Sequence, residues 1–305
     1  MYTSALFYSF KQEINFDIEE LNKALEQDVF KPVGGQQVSS MGFVKPLGKY
    51  GSELARQAPD SNLIWLKVRQ DKKTLPSAAI NEQLASTIEK IENEESRPVK
   101  FKEKNEIKDN ITMAMLPNLI PKPSYIDLCI DTKNMLVVIF VAKFTRAEEC
   151  LALLRKSLGT LPVIPSFASY DLDHLLTNSL LEPESLGEIQ LGHTVNLVEP
   201  SETDSKRNYI NEEDITSEDI LNSIHNGMRC KSVHLKLYES IELKFNNDGS
   251  MTSIKFSDAL KETNSDIPKE ELANRLENDF VLFSSEIINF YSELIKCMEV
   301  ESVAV

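Results

Sequence analysis

The feature that most limits what this chain can become lies near its end. From Leu272, the residues Leu276, Phe280, Phe283, Ile287, Phe290, Leu294 and Met298 follow at steps of four or three, the repeat of a single helical face. About 30 residues of helix make a rod of roughly 45 Å, longer than a lone small domain needs. Pro268 stands ahead of it at a helix-start position. Such a rod supplies either one or two core helices or a subunit interface. The interface alternative assigns Phe283, Ile287, Phe290 and Leu294 to contact with a partner subunit.

A second helix is bounded at both ends. Thr145 with Glu148 three residues on is a capping-box start, and Gly159 followed by Pro162 is a stop. Between them Ala147, Leu151, Leu154 and Leu158 form one apolar face, with Lys156 pointing away and Arg155 beside it. This is a helix that packs on a sheet. The sheet is readable too. Ser4–Phe10 and Asn62–Arg69 read as strands, the latter with Ile64, Leu66 and Val68 on one side and Trp65, Lys67 and Arg69 on the other. Tyr125–Ile130 and Met135–Ala142 form a hairpin around D-T-K-N. Ser232–Leu237, Ile241–Phe245 and Met251–Phe256 alternate as an antiparallel meander with one wet face, and an N-N-D-G turn joins the last two. The fold class is α+β, with antiparallel sheets and packed helices.

Other segments divide this frame. Asp17 with Glu20 opens a helix with Ile18, Leu21 and Leu25 on its face. Gly34–Gly51 holds half of the 10 glycines and reads as turns or bulges. Its G-F-V-K-P-L-G-K-Y superficially resembles a phosphate-binding loop but has one residue too many between the glycines and Tyr50 where a magnesium-binding hydroxyl should stand. After Pro76, two helical segments follow, marked by Ile80, Leu84, Ile88 and Ile91, then by Ile107, Ile111 and Met115. Between and into them lie Arg97, Lys100, Lys102, Lys104 and Lys108, the clearest local excess of positive charge, diluted by Glu103 and Glu106. Pro117–Pro123, with three prolines, should be a rigid irregular finger presenting Leu119 and Ile120. Ser166–Asp214 is the least regular part, apart from a short helix near Asp171–Leu180 and a strand near Glu188–Val198. Glu199–Glu213 reads as a mobile loop, and Thr216 and Ser217 cap a short helix ending at Gly227. The organisation is then 1–76 with 124–200 as a central α+β region, 77–123 as a helical hairpin with its finger, and 201–305 as meander plus long helix.

Bulk properties exclude some functions. The 305 residues carry a formal net charge of −15, so any nucleic-acid binding needs a local basic surface that outweighs the overall field. The four cysteines and four histidines keep no zinc spacing, and the widely spaced cysteines read as reduced, buried thiols of a cytosolic protein. The N-terminus lacks a signal-peptide pattern, and the longest apolar run, Met135–Ala142, is a strand's length, so a soluble intracellular protein is expected. Hydrolase, zincin and dinucleotide motifs are absent. Asp127 and Asp131 could suggest a two-metal nuclease site, but strand alternation and the following turn account for both. No catalytic residue, metal or cofactor is expected.

Six collinear segments, the Leu151–Pro165 signature and five further blocks, carry a resemblance over almost the whole chain, to about Phe283. They are Phe30–Gly48, Lys73–Ser77, Ile130–Thr132, Leu151–Pro165 (L-A-L-L-R-K-S-L-G-T-L-P-V-I-P), Asp214–Ile220 and Asp248–Leu260. Together they resemble the bacterial recombination-associated RdgC family. The resemblance implies an elongated horseshoe monomer that pairs at both ends into a ring dimer, threads duplex DNA without sequence preference, and restrains recombination by competing with the RecA recombinase. It implies a cytoplasmic, nucleoid-associated protein with double-stranded DNA and itself as partners. Basic residues fall on family positions at Arg69, Lys73, Arg97, Lys100, Lys104, Lys108, Lys122, Arg155 and Lys156; Lys206 and Arg207 lie upstream of D-I-T-S-E. Two departures stand out. Asn118 and Ile120 replace a basic residue and an interface aromatic in the finger, and Glu212 and Glu213 occupy a normally basic loop. Two rival functions remain open: a metal-dependent exonuclease, and a protein-interaction module whose acidic surface mimics DNA.

Overall fold

A computed structural model describes residues 1–199, 206–210, 215–264 and 271–303. Pro268, Glu212, Glu213 and most of the expected 199–213 loop lie outside the described residues. One antiparallel sheet organises the chain. Its first half runs β2 (Ser39–Val44), β4 (Leu63–Lys73), β5 (Pro121–Asp131), β6 (Leu136–Ile139) and β1 (Ser4–Phe10). Its second half continues through β12 (Met251–Phe256), β11 (Ile241–Asn246), β10 (Arg229–Leu237), β8 (Ile189–Val198) and β9 (Lys206–Ile210). Short β3 (Ala55–Gln57) adds to β4, and β7 (Val163–Pro165) adds to β1. β1 joins the halves, because Ser4 and Ala5 pair with Thr252 and Met251 while Leu6–Ser9 pair with Ile139–Leu136.

The alternation of β1 divides the core. Leu6 and Tyr8 point to a layer closed by α1 (Ile18–Leu25) and α4 (Phe144–Leu158), together with Ile64, Leu66 and Val68. Ala5 and Phe7 point the other way, with Trp65, toward α5 (Leu172–Leu181), α6 (Glu218–His225) and the long α8 (Leu272–Val303). The period-2 pattern thus covers both faces of the first half but only one face of the second. Short α7 (Asp258–Glu262) follows β12.

The rod foreseen at the C-terminus is a core helix. Phe280 stacks on Trp65 of β4 with centroids 4.7 Å apart, and Tyr291 stacks on Phe7 of β1 at 4.4 Å. Phe283 packs on Phe256 of β12 at 4.6 Å. The helix is long because it crosses strands of both sheet halves. Phe283, Ile287, Phe290 and Leu294, assigned above to a partner, are buried in the chain's own core and have no side-chain surface left to offer. That assignment is corrected.

Other local expectations divide. Asp17 caps α1, accepting from the amides of Glu19 at 2.8 Å and Glu20 at 3.0 Å. The Thr145 capping box does not form. α4 already starts at Phe144 after Lys143, with no side-chain cap, and its anchoring comes from buried Ala147, Leu151 and Leu154. Within the glycine-rich stretch β2 is regular strand. Its Gly42 is needed because a Cβ there would lie 2.4 Å from the Cα of Phe30. β5 extends back to Pro121 through residues expected to be irregular. Pro121 and Pro123 pair with Lys73 and Asp71 of β4, whereas β6 engages β5 only from Leu128, leaving an edge where missing amides cost the sheet nothing. Inside the expected loop, Lys206–Ile210 is strand β9 on β8.

Candidate nucleic-acid interface

The hairpin foreseen from the apolar spacing is present as α2 (Ser77–Glu95) and α3 (Phe101–Met115), with Ile80 and Leu84 buried at its base. Ser96, with φ of 50°, reverses the chain after α2. That reversal decides the fate of Arg97. Its guanidinium donates to Glu103 at 2.8 and 2.9 Å and to Glu95 at 2.6 Å, so its charge is already matched. Lys100, Lys104 and Lys108 recur every fourth residue along α3 and are exposed, as is Lys102. None of these four ammonium groups is ion-paired among the described residues.

Arg69 and Lys73 are tied down more firmly. Arg69 makes a two-pronged contact with Asp71, 2.7 and 2.8 Å, and its guanidinium sits between the rings of Phe30 (4.4 Å) and Tyr125 (5.7 Å). Lys73 is 4% exposed, and its ammonium donates to the carbonyls of Gly34 (3.0 Å), Gly35 (2.8 Å) and Leu116 (2.9 Å). All three of its protons are used inside the protein, so Lys73 cannot meet a phosphate in this conformation. Its assignment as a DNA contact is corrected to a fold contact: it binds the glycine-rich stretch to the base of the finger. Lys122 is exposed and directly opposite exposed Lys72 on β4, a like-charge pair that the sequence reading missed. Lys206 and Arg207 stand on β9 opposite Val198 and Leu197. On α4, Lys156 pairs with Asp28.

The finger is a short turn. Leu116 is buried, the Leu119 amide donates to the Leu116 carbonyl at 3.2 Å, and Ile120 is 87% exposed. Of the residues assigned to a partner, Ile120 is the one the fold leaves out in solvent, with Leu119 half-buried behind it.

The carboxylates considered for metal chemistry have other partners. Asp127 accepts from the Trp65 indole at 2.7 Å and pairs with Lys67 at 3.3 Å; burial pushes its carboxyl up despite that lysine. Asp131 closes the turn after β5, accepting from the amides of Lys133 (2.9 Å) and Asn134 (3.1 Å). Among the described residues no histidine, cysteine and carboxylate cluster is arranged to hold a metal ion. The buried thiols of Cys150 and Cys230 are pushed up to about 12 by desolvation. Among the described residues no helix is long and apolar enough to cross a membrane.

A second basic feature, absent from the sequence-derived set, lies on the meander. Lys236, Lys244 and Lys255 occupy the side of β10–β12 opposite the core, around Glu242. Their even spacing was legible as the wet face, but nothing in a linear reading gathers three strands' lysines into one patch.

The molecule is thus an antiparallel α+β sheet protein with basic residues on a projecting hairpin and on an open sheet face. A family model described as "Putative exonuclease, RdgC" matches residues 1–301. Similar proteins include the recombination-associated protein RdgC of Pseudoalteromonas translucida, 39% identical over 293 residues, covering 96% of each chain. That of Yersinia enterocolitica is 32% identical over 297 residues, covering 97% of each. The chain belongs to the RdgC family.

Proposed function

We propose that this protein binds duplex DNA without reading its sequence, as a non-catalytic dimer of horseshoe-shaped subunits closed into a ring around the duplex. On this reading it is a cytoplasmic, nucleoid-associated protein that restrains RecA-dependent recombination. The observation that carries the proposal is the row Lys100, Lys104 and Lys108, exposed and with no ion pair among the described residues, on a projecting helix and its cap in a chain with net charge −15. Family membership supports the link to recombination. The exposed Ile120 at the finger is the residue offered to the second subunit.

The test is a salt titration of binding to a short random-sequence duplex, with the protein's mass from sedimentation. Lys72, Lys100, Lys104, Lys108 and Lys122, contributed by both protomers of the ring, predict a slope of log K against log salt of roughly −9. A monomer, or no duplex binding at low salt, refutes the proposal. The name of the matching family model favours a second function, an exonuclease; two carboxylates, Asp127 and Asp131, would make it metal-dependent. Magnesium-dependent release of labelled DNA ends, abolished by Asp127→Asn or Asp131→Asn with the fold intact, would establish it instead.

A further inference from the structure

We propose that the groove between the start of α1 and the end of α4 is a docking site for another protein, taking a short basic segment that carries an apolar side chain. This goes beyond the DNA-binding function above and does not depend on it. The chain leaves β1 at Phe10 and enters α1 at Ile18. The residues between run beside the stretch that follows α4, where the Lys11 amide donates to the Pro162 carbonyl at 2.9 Å. A cavity of about 290 Å³ opens along this seam. Leu21 and Leu161 form its buried floor, and half-buried Ile14, Phe16, Ala24 and Leu158 form its walls.

The walls are set in advance. Phe16 meets Phe10 of β1 edge to face with centroids 5.6 Å apart, so its ring is braced. Ile14, unlike Phe16 and Leu158, does not pack against the core, and half of it is left to face a partner. The backbone amides of Glu13, Ile14, Asn15 and Phe16 have no hydrogen-bond partner among the described residues. An extended peptide laid along the seam can claim them, while its side chains enter the cavity.

Charge selects the occupant. From Glu13 to Glu20 the chain has four acids and no base. Asp17 and Glu20 stand on the rim, and among the described residues no lysine, arginine or histidine lines the cavity. Asp17 caps α1 through the amides of Glu19 and Glu20, and neither rim carboxylate has an ion pair among the described residues. Lys156 of α4 is already taken by Asp28. Such a rim repels a phosphate backbone and attracts lysine and arginine. The cavity sits at the lower end of ligand pockets, which run from roughly 300 to 1,000 Å³, so it holds an anchoring side chain or two. An apolar anchor in a pocket with complementary charges at its edge is the arrangement that gives a short segment both affinity and specificity.

The test is fluorescence anisotropy of a labelled peptide, K-R-F-L-R-K, titrated with the full chain at about 0.15 M salt. The peptide should bind, and K-R-A-A-R-K, which keeps the charges and lacks the anchor, should bind roughly tenfold more weakly. Glu20→Lys should weaken binding of the first peptide about tenfold by placing a like charge on the rim. Ile14→Ser should weaken it about fivefold by removing one wall. Thermal unfolding verifies both folds; if Ile14→Ser does not fold, Glu20→Lys, at an exposed position, carries the test alone. No saturable binding up to about 1 mM overturns the site. Equal binding of the two peptides overturns it as well, because it marks bare attraction to an acidic chain. Affinity unchanged in the folded variants places the peptide elsewhere and overturns it too. Sedimentation without peptide covers the other occupant: self-association lost in Ile14→Ser overturns the partner assignment in favour of a second copy of the chain.

Discussion

Replacing Lys73 by methionine separates a fold contact from a DNA contact at a position where the family resemblance implied a basic DNA-binding residue. The apolar stem of lysine is matched by methionine, so little packing is lost. What disappears is the ammonium group that donates to Gly34, Gly35 and Leu116. Hydrogen bonds from a charged donor are each worth about 1.5–3 kcal/mol net, and a buried acceptor left without a donor adds about 1–3 kcal/mol. Gly34 and Gly35 are exposed, so water replaces the donor there; the Leu116 carbonyl, beside a buried side chain, has less access. The loss should therefore be about 3–4 kcal/mol rather than the sum of three full bonds. Urea unfolding measures it directly. Faster hydrogen exchange at the Leu119 amide, which bonds the same Leu116 carbonyl, should accompany it. A loss below about 1 kcal/mol, with the DNA salt slope reduced by one contact, would refute the reasoning and return Lys73 to the phosphate-binding set.

Three further outcomes follow from the same structure. Phe280→Ala should cost about 3–5 kcal/mol in denaturant unfolding, since it removes the ring stacked on Trp65 at the head of α8. Desolvation first, and His193 second, lower the His234 pKa to about 4, below its ordinary value of 6.5. The unfolded chain therefore binds the extra proton between those values. Stability from this group is complete above about pH 6.5 and declines as pH falls toward 4, by about 1–2 kcal/mol for a partly screened site; His234→Gln should flatten that part of the pH profile. Ile120→Ser should change stability by less than about 0.5 kcal/mol, because the side chain is 87% exposed, while weakening self-association in sedimentation.

Periodicity was the most legible signal. The α8 repeat, the β4 alternation and the two hairpin helices read directly from sequence, because each is set by which residues must leave water. What covers an apolar face is a tertiary matter, and that is where the interface reading of Phe283–Leu294 failed: the sheet reaches those residues before a partner could. Local end signals were weaker. The Thr145 box lost to a start at Phe144 because packing of the Ala147 and Leu151 face fixes where α4 lies. Polar K-R-N-Y-I became a strand because the β8 edge offered it a ladder. Basic residues were the least legible of all. Their types and positions are plain in the sequence, but the use of Lys73 depends on carbonyls from residues 34, 35 and 116 converging, and that of Arg97 on the reversal at Ser96.

The place of β1 has a consequence for synthesis. One edge is completed by β6, from Leu136, and the other by β7, from Val163, and finally by β12, from Met251, so both edges await sequence made much later. At roughly 5–20 residues per second, the strand waits many seconds on the ribosome for its last neighbour. During that interval the edge of Ser4 and Ala5, the residues that β12 pairs, has its backbone donors and acceptors unclaimed. A chain truncated before β12 would keep that short edge open permanently, ready to be paired by another nascent copy. Translation rate and chaperone supply should therefore govern the yield of this protein more strongly than its final stability does.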